Sequence, residues 1–327
     1  MIQDVLFGLV SIVVGIAASY GVYWGLDQLV NRLPDGLQKK LRAWAYLLPA
    51  ATLLILVLFV PLIMTFVYSF MNSSGKKWVG FENYVDLFTD PTFFSVLLNN
   101  FLWIAFVPAL TVASGLFVAT LTNQVGPIRE KVFKSLIFMP MSISFVSAAT
   151  IWGFLYANVP PGRPEIGLLN ALITVFGGEP QPWMLISDFR LNSFLLMIII
   201  IWLQTGFSMV LISAAIKGVP EETIEAARVD GAGNFQLFWK IVLPQIWGTV
   251  MSVFVTVVIG VMKIFDIVLA MTGGTFDTSV LGFQFYQEYF LNANVGRASA
   301  IVAVLTVLIV PLMIVQVVTF RRQEALR

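Results

Sequence analysis

Long apolar runs separated by short polar stretches dominate the chain, and their lengths recur near the value a membrane demands. A hydrocarbon core about 30 Å thick needs roughly 20 helical residues. Seven windows meet that requirement, at 5–26, 44–70, 96–122, 135–156, 191–216, 246–271 and 298–320. Lipid offers no partner to a backbone N–H or C=O, so a run such as 194–203 is predicted to be helical. The predicted fold class is an all-α membrane protein of about seven transmembrane helices.

The polar stretches carry their own signals. Residues 157–190 hold Pro160, Pro161, Pro164, Pro180, Pro182 and the pair Gly177-Gly178, which predicts a structured loop with at most one short helix near 168–176. Such a loop is long enough to form a receptor-facing surface. Residues 76–100 mix Trp78, Phe81, Tyr84, Phe88, Phe93 and Phe94 with Glu82, Asp86 and Asp90, which suits an amphipathic helix or an aromatic anchor at the outer interface. The first window opens with Met-Ile-Gln-Asp and so lacks the basic start of a signal peptide; it also lacks the charged face of a helix lying on the membrane surface. It is expected to be a retained span.

Composition agrees with the windows. The 327 residues are 58% hydrophobic and 11% charged, against about a quarter charged in a typical soluble domain. With no cysteine and no histidine, disulfides, thiolate metal sites and the commonest general base are all excluded. Lysine and arginine form no nucleic-acid-binding stripe but gather in alternate loops. Arg32, Lys39, Lys40, Arg42, Arg129, Lys131, Lys134, Lys217, Arg228, Lys240, Arg321, Arg322 and Arg327 fall on one side. Lys76, Lys77, Arg163, Arg190 and the boundary residue Arg297 fall on the other. Thirteen against five puts the larger set in the cytoplasm, the N-terminus outside and the C-terminus inside.

The loop 217–245 reads as two short helices between unbroken apolar spans. Pro220 suits the first helical position, and Glu221 and Glu222 sit where the helix dipole is positive. Ala226 and Ala227 keep one face small, Gly231 and Gly233 end the helix, and Phe235, Leu237, Phe238 and Ile241 form an apolar stripe that Pro244 interrupts at the membrane entry.

Glu225-Ala226-Ala227, Gly231, Ile241 and Leu243-Pro244 at this spacing resemble the EAA loop of permease subunits in binding-protein-dependent ABC importers. The resemblance runs from about Leu41 onward and looks like the maltose-type sugar permeases, through Trp78 to Tyr84, Phe265-Asp266 and Thr272-Gly273-Gly274. Pro160-Pro161-Gly162, Ile166-Gly167-Leu168-Leu169-Asn170-Ala171, Trp202-Leu203-Gln204-Thr205-Gly206-Phe207 and Lys263-Ile264-Phe265-Asp266 resemble the first permease of alpha-glucoside and glucosylglycerol importers. The resemblance implies a six-span type I importer core over 41–327, with 1–40 an added span and linker, in a bacterial inner membrane. It further implies a coupling helix on 217–245 that docks in a cleft of the ATPase. Glu225 would be its polar contact and Ala226, Ala227 and Gly231 its close-packing surface. The implied partners are a second permease, two ATPase subunits, a solute-binding protein, the sugar or glycoside itself and membrane lipid, with no nucleic acid. The chain has no GxxxxGK[ST] loop, so ATP and Mg are expected on the partner ATPase and no cofactor on this chain.

Polar residues at membrane depth are costly and usually face a cavity or another helix. Gln204 and Thr205 interrupt the fifth window, while Lys263 and Asp266, three apart in the sixth, would neutralise each other, snorkel toward the outer interface or line a passage, and Asp266 could instead only stabilise a kink. By resemblance, Leu203, Gln204, Phe207, Gly260, Val261 and Ile264 match positions lining the sugar site of the maltose-type permease, although that pattern has polar amides where this chain has Val261 and Ile264. Trp202, Phe207 and Phe265 could stack on sugar faces. A secondary transporter would share the spans and midplane polar groups but would not need an EAA loop. A permease for a non-sugar solute such as glycerol phosphate or a polyamine is the other alternative. A membrane-bound enzyme would need clustered catalytic groups that the chain lacks.

Overall fold

The computed structural model describes residues 2–160, 162 and 166–324. Pro161, Arg163, Pro164 and Arg327 from the loop and charge patterns lie outside these residues. Among the described residues, six helices are long and apolar enough to cross a membrane, or seven if one bent pair is a single span. The chain divides into two compact units between Val67 and Tyr68, inside the second apolar helix rather than in the linker after the first.

The first unit is a helical hairpin. Helix α1 (Ile2–Asn31) turns through 32–34 into α2 (Asp35–Leu54), which a π-turn over Ile55–Phe59 joins to α3 (Val60–Tyr68). Asp27 ties the hairpin together: it accepts hydrogen bonds from Tyr46 Oη at 2.6 Å and Asn31 Nδ2 at 2.9 Å and lies 3.6 Å from Arg42. Tyr23 stacks on Tyr46 with centroids 6.2 Å apart. Val30 is buried, whereas most apolar side chains of α1 and α2 are exposed, as surfaces meant for lipid are.

The second unit opens with a turn closed by a single bridge between Met71 and Trp78, followed by α4 (Glu82–Thr89) and α5 (Pro91–Thr122). The one amphipathic helix expected near 76–100 is thus a turn, a short helix and the start of a span. Asp90 caps α5, accepting from the Thr92 N–H at 2.9 Å and from Arg297 Nη2 at 2.7 Å. Next come α6 (Pro127–Phe138), α7 (Phe145–Leu155), α8 (Leu168–Val175) and α9 (Leu191–Lys217). The chain ends through α10 (Glu221–Val229), α11 (Asn234–Leu237), α12 (Leu243–Met262), α13 (Asp266–Met271), α14 (Leu281–Tyr286) and α15 (Val295–Glu324). Helices α5, α9 and α12 pack as the centre, with Trp103, Met209, Ile212 and Val253 almost wholly enclosed and Phe106 edge-on to Phe194 at 5.0 Å.

Three further expected elements are different. The fourth window is not one straight helix but two segments bent by 103°. Pro140 lies in a 3-10 turn over Met139–Ser142, Ile143 is extended, and the Ser144 side chain caps α7 by accepting from the Ser147 N–H at 3.1 Å. The sixth window also breaks. Helix α12 stops at Met262, the N–H groups of Lys263 and Ile264 close on Gly260 and Val261 three residues back, and α13 restarts at Asp266. Pro244, expected to interrupt the chain at the membrane entry, instead lies in a helical run that continues from Asn234 to Met262. A π-turn over Phe238–Val242 ends two residues before it, just as the π-turn over Ile55–Phe59 ends two before Pro61. A proline ring would clash with the carbonyl four residues back, here Lys240 and Val57, and the widened turn makes room for it.

Candidate functional site: a passage wall and a projecting helix

Residues beside the breaks in the fourth and sixth windows line shared hollows with α9. A hollow of about 450 Å³ is lined by Gln204 and Phe207 of α9, Gly260 and Val261 of α12, Lys263 and Ile264 of the break, and Met141 and Phe145 beside the α6–α7 bend. An adjoining hollow of about 440 Å³ shares Met141, Phe145 and Gln204 and adds Leu203, Ser144 and Asp266. All eight residues expected along a passage therefore line one of these two hollows. Val261, Ile264 and Leu203 are buried and form apolar walls, while the Gln204 amide makes no hydrogen bond within the described chain. Lys263 and Asp266 do not form an ion pair, because the break between them takes the two side chains off a common helix face. Thr205 is spent within α9, donating to the Ile201 carbonyl at 2.6 Å.

Of the aromatic residues expected to meet a solute, Phe207 lines one of these two hollows, and Trp202 and Phe265 line neither. Trp202 packs edge-on to Trp152 at 5.8 Å, and Phe265 stacks on Phe283 and lies tilted against Tyr286. Met141, Ser144 and Phe145 were not predicted; their signal was Pro140 with Ser142 and Ser144 inside an otherwise apolar window. Gly206 holds the seam between α9 and the α6 end, since a Cβ there would meet the Ile137 carbonyl oxygen at 2.6 Å and Phe138 Cα at 2.7 Å.

Helix α10 projects between α9 and the run that becomes α12. Pro220 precedes it in extended geometry, one position earlier than expected, and Glu221 and Glu222 occupy its first turn. Its end is closed by the Ala232 N–H on the Ala227 carbonyl and the Gly231 N–H on the Arg228 carbonyl, both at 3.0 Å, with Gly231 at φ +84°. The motif divides by face. Glu225, Ala226 and Gly231 are exposed, as are Val229 and Phe235 nearby. Ala227 and Leu243 are turned into the chain's own core with Ile241 half-buried beside them, so Ala227 is a packing residue of this chain rather than part of an outward surface. Pro244 is exposed at the start of α12. Beneath the loop, Glu130 of α6 bridges Lys134 and Lys217 at 2.5 Å each, and Lys134 also bonds Asn123 and Ser213.

The opposite end of α9 is equally fixed. Arg190 donates to Asn99 Oδ1 at 2.6 Å and to Ser95 Oγ at 3.1 Å, while Asn99 and Asn192 donate to carbonyls of 276–279.

A bundle of membrane-length helices, two of them broken beside shared hollows, has the architecture of a membrane permease. The chain belongs to the family described as the binding-protein-dependent transport system inner membrane component, whose model matches residues 111–324. It is 40% identical over 95% of its length to the alpha-glucoside transport system permease protein AglF of Rhizobium meliloti, covering 96% of that protein. It is 45% identical over 86% of its length to the osmoprotective compounds uptake permease protein GgtC of Synechocystis, all of which is covered. The fold is shared with a bacterial ABC transporter that imports the acidic polysaccharide alginate: TM-score 0.76 at 21% identity, over 88% of this chain and 99% of that one. The protein is thus a multi-pass inner-membrane permease subunit of an ATP-driven importer.

Proposed function

We propose that this subunit passes a neutral alpha-glucoside through the hollows along α9 and α12 and that α10 couples them to a partner ATPase. The observation that carries the reading is the placement of α10: it joins the two helices that carry Gln204 and Gly260, so a push on α10 moves the passage walls directly. Relatives named for alpha-glucosides and osmoprotective compounds support the solute class. Glu225, Ala226 and Gly231 meet the ATPase. Ala227, Ile241, Leu243 and Pro244 hold the loop in shape. A second permease supplies the facing wall, two ATPase subunits bind ATP and Mg, and a solute-binding protein delivers the sugar outside. The N-terminus lies outside and the C-terminus in the cytoplasm, because the larger basic set then stays inside.

Lys263 supports one second reading. It lines the hollow without an ion-pair partner among the described residues, as a binding site for an anionic solute such as glycerol phosphate would require, although Asp266 in the adjoining hollow offsets its charge. The test is ATP-dependent uptake by the complete complex in vesicles, offered trehalose, sucrose and glycerol phosphate. Uptake of a disaccharide that Glu225→Lys abolishes while the binding protein still docks is the expected result. Uptake of glycerol phosphate alone would transfer the proposal to the second reading, and uptake driven by an ion gradient without ATPase would overturn both.

A further inference from the structure

A third hollow, of about 470 Å³, continues the passage wall toward the Arg190 end of α9. The adjoining hollow reaches Val146 of α7 and Asp266 of α13; this one begins at Thr150 and Ala270, four residues on in each helix and therefore on the same two faces. Ala149, Gly153 and Ala270 keep those faces low. The far side is closed by Trp183, and no charged side chain lines the hollow among the described residues.

Trp183 is held in place from behind. Its Nε1 donates to Asn170 Oδ1 at 2.8 Å, and Asn170 is wholly buried. Asn170 Nδ2 in turn donates to the carbonyls of Ala157 and Gln181, and its Oδ1 also accepts from the Gln181 N–H at 2.9 Å. One buried amide therefore joins the end of α7, the start of α8 and the Trp183 turn. The indole's only polar atom is occupied, which leaves its apolar ring for the hollow. Tyr156 is also committed, donating to the Leu195 carbonyl at 3.1 Å, while Asn158 is exposed at the rim and its amide has no partner among the described residues.

We propose that this hollow is an entry subsite for a neutral glycoside ring, resting on the importer reading above, with Trp183 as the stacking platform and Asn158 as a hydrogen-bonding group. An uncharged pocket with a fixed aromatic face and a free amide suits a ring whose faces are C–H and whose rim is hydroxyl. Its position makes it the first station on this subunit after release from the binding protein, one helical turn before Asp266 and one hollow before Gln204. Capture there keeps a released sugar from escaping outward while the lower hollows open.

The experiment uses the whole complex with its binding protein in vesicles and measures labelled trehalose or sucrose moved per ATP hydrolysed. Trp183→Ala lowers this ratio by roughly fivefold to tenfold, the scale of a lost aromatic contact. Trp183→Phe, which keeps a ring but loses the bond to Asn170, stays near wild type; if both variants fall equally, Trp183 is a structural post and the subsite is overturned. A second arm needs no transport: an azidophenyl alpha-glucoside photolabels the wild-type complex without ATP. Labelling at 149–158 or 183–185 that unlabelled trehalose displaces is expected. Displaceable labelling confined to residues around Gln204 overturns the subsite, and this arm decides the matter if Trp183→Ala fails to assemble. Failure of the importer reading is read separately, as the absence of ATP-dependent glycoside uptake by the wild-type complex.

Discussion

Gly231 and Gly206 are constrained for opposite reasons. At Gly231 the surroundings are empty, with no atom within 4 Å of the point a Cβ would occupy, and the constraint is φ +84° alone. A β-branched residue there costs about 1–2 kcal/mol of backbone strain, whereas asparagine tolerates the left-handed region. Gly231→Val should therefore uncouple ATP hydrolysis from uptake and Gly231→Asn should retain most coupling, as read by binding-protein-stimulated ATPase activity. If Asn is as damaging as Val, crowding of the partner surface rather than the turn is the cause. At Gly206 the constraint is space: a methyl would press on backbone atoms of Ile137 and Phe138, which cannot swing aside. Gly206→Ala should destabilise the purified protein by about 1–3 kcal/mol, lowering its detergent-solubilised Tm, and should distort the hollow beside Met141.

The junction of α4 and α5 shows how an element's end sets its response to pH. Hydrogen bonds from the Thr92 hydroxyl and N–H, followed by the bond and charge of Arg297, hold the Asp90 carboxyl below the usual carboxylate range. A depressed folded-state value stabilises above the unfolded pKa of about 3.9 and is lost as pH falls through the lower folded value. Asp90→Asn, which keeps a capping side chain but removes the charge, should melt a few degrees below wild type at pH 7, with the gap closing as pH drops under about 4. A gap independent of pH would assign the effect to capping alone. Elements of this kind were only partly legible in the sequence. Apolar length located the spans, and the spacing around Gly231 located the helix end, because both depend on residue type alone. The bend at Pro140 was not legible, and the stop at Met262 only as a kink that Asp266 could stabilise, since an average over an apolar window passes through a kink or an unwound turn unchanged. Nor could the motif tell which alanine faces inward. Ala227 is buried and Ala226 exposed because of where α10 rests on the core, a fact of packing rather than spacing.

Across the second unit the basic residues separate along α9, whose 27 residues span about 40 Å. Lys217 at its end meets Glu130, which also holds Lys134, and the same end leads into the loop bearing Arg228 and Lys240. Arg190 at its start is bound to the first turns of α5, where Asp90 in turn holds Arg297. The two ends also differ in chemistry. Arg297 is neutralised by Asp90 and Glu288 and Arg190 is tied up by hydrogen bonds, whereas Lys240 and Arg228 have no acidic partner within the described chain. Free basic charge resists translocation across the inner membrane, so the Lys217 end should remain cytoplasmic. A reporter fusion measures this directly: alkaline phosphatase should be active when joined after Asn170 and inactive after Gly231. Moving the charge should move the outcome, with Lys240→Glu and Arg228→Glu together weakening retention of the Gly231 fusion inside. Activity after Gly231 and none after Asn170 would put Glu225 and the exposed face of α10 on the side without ATP, and no ATPase could then reach the helix that joins the passage walls.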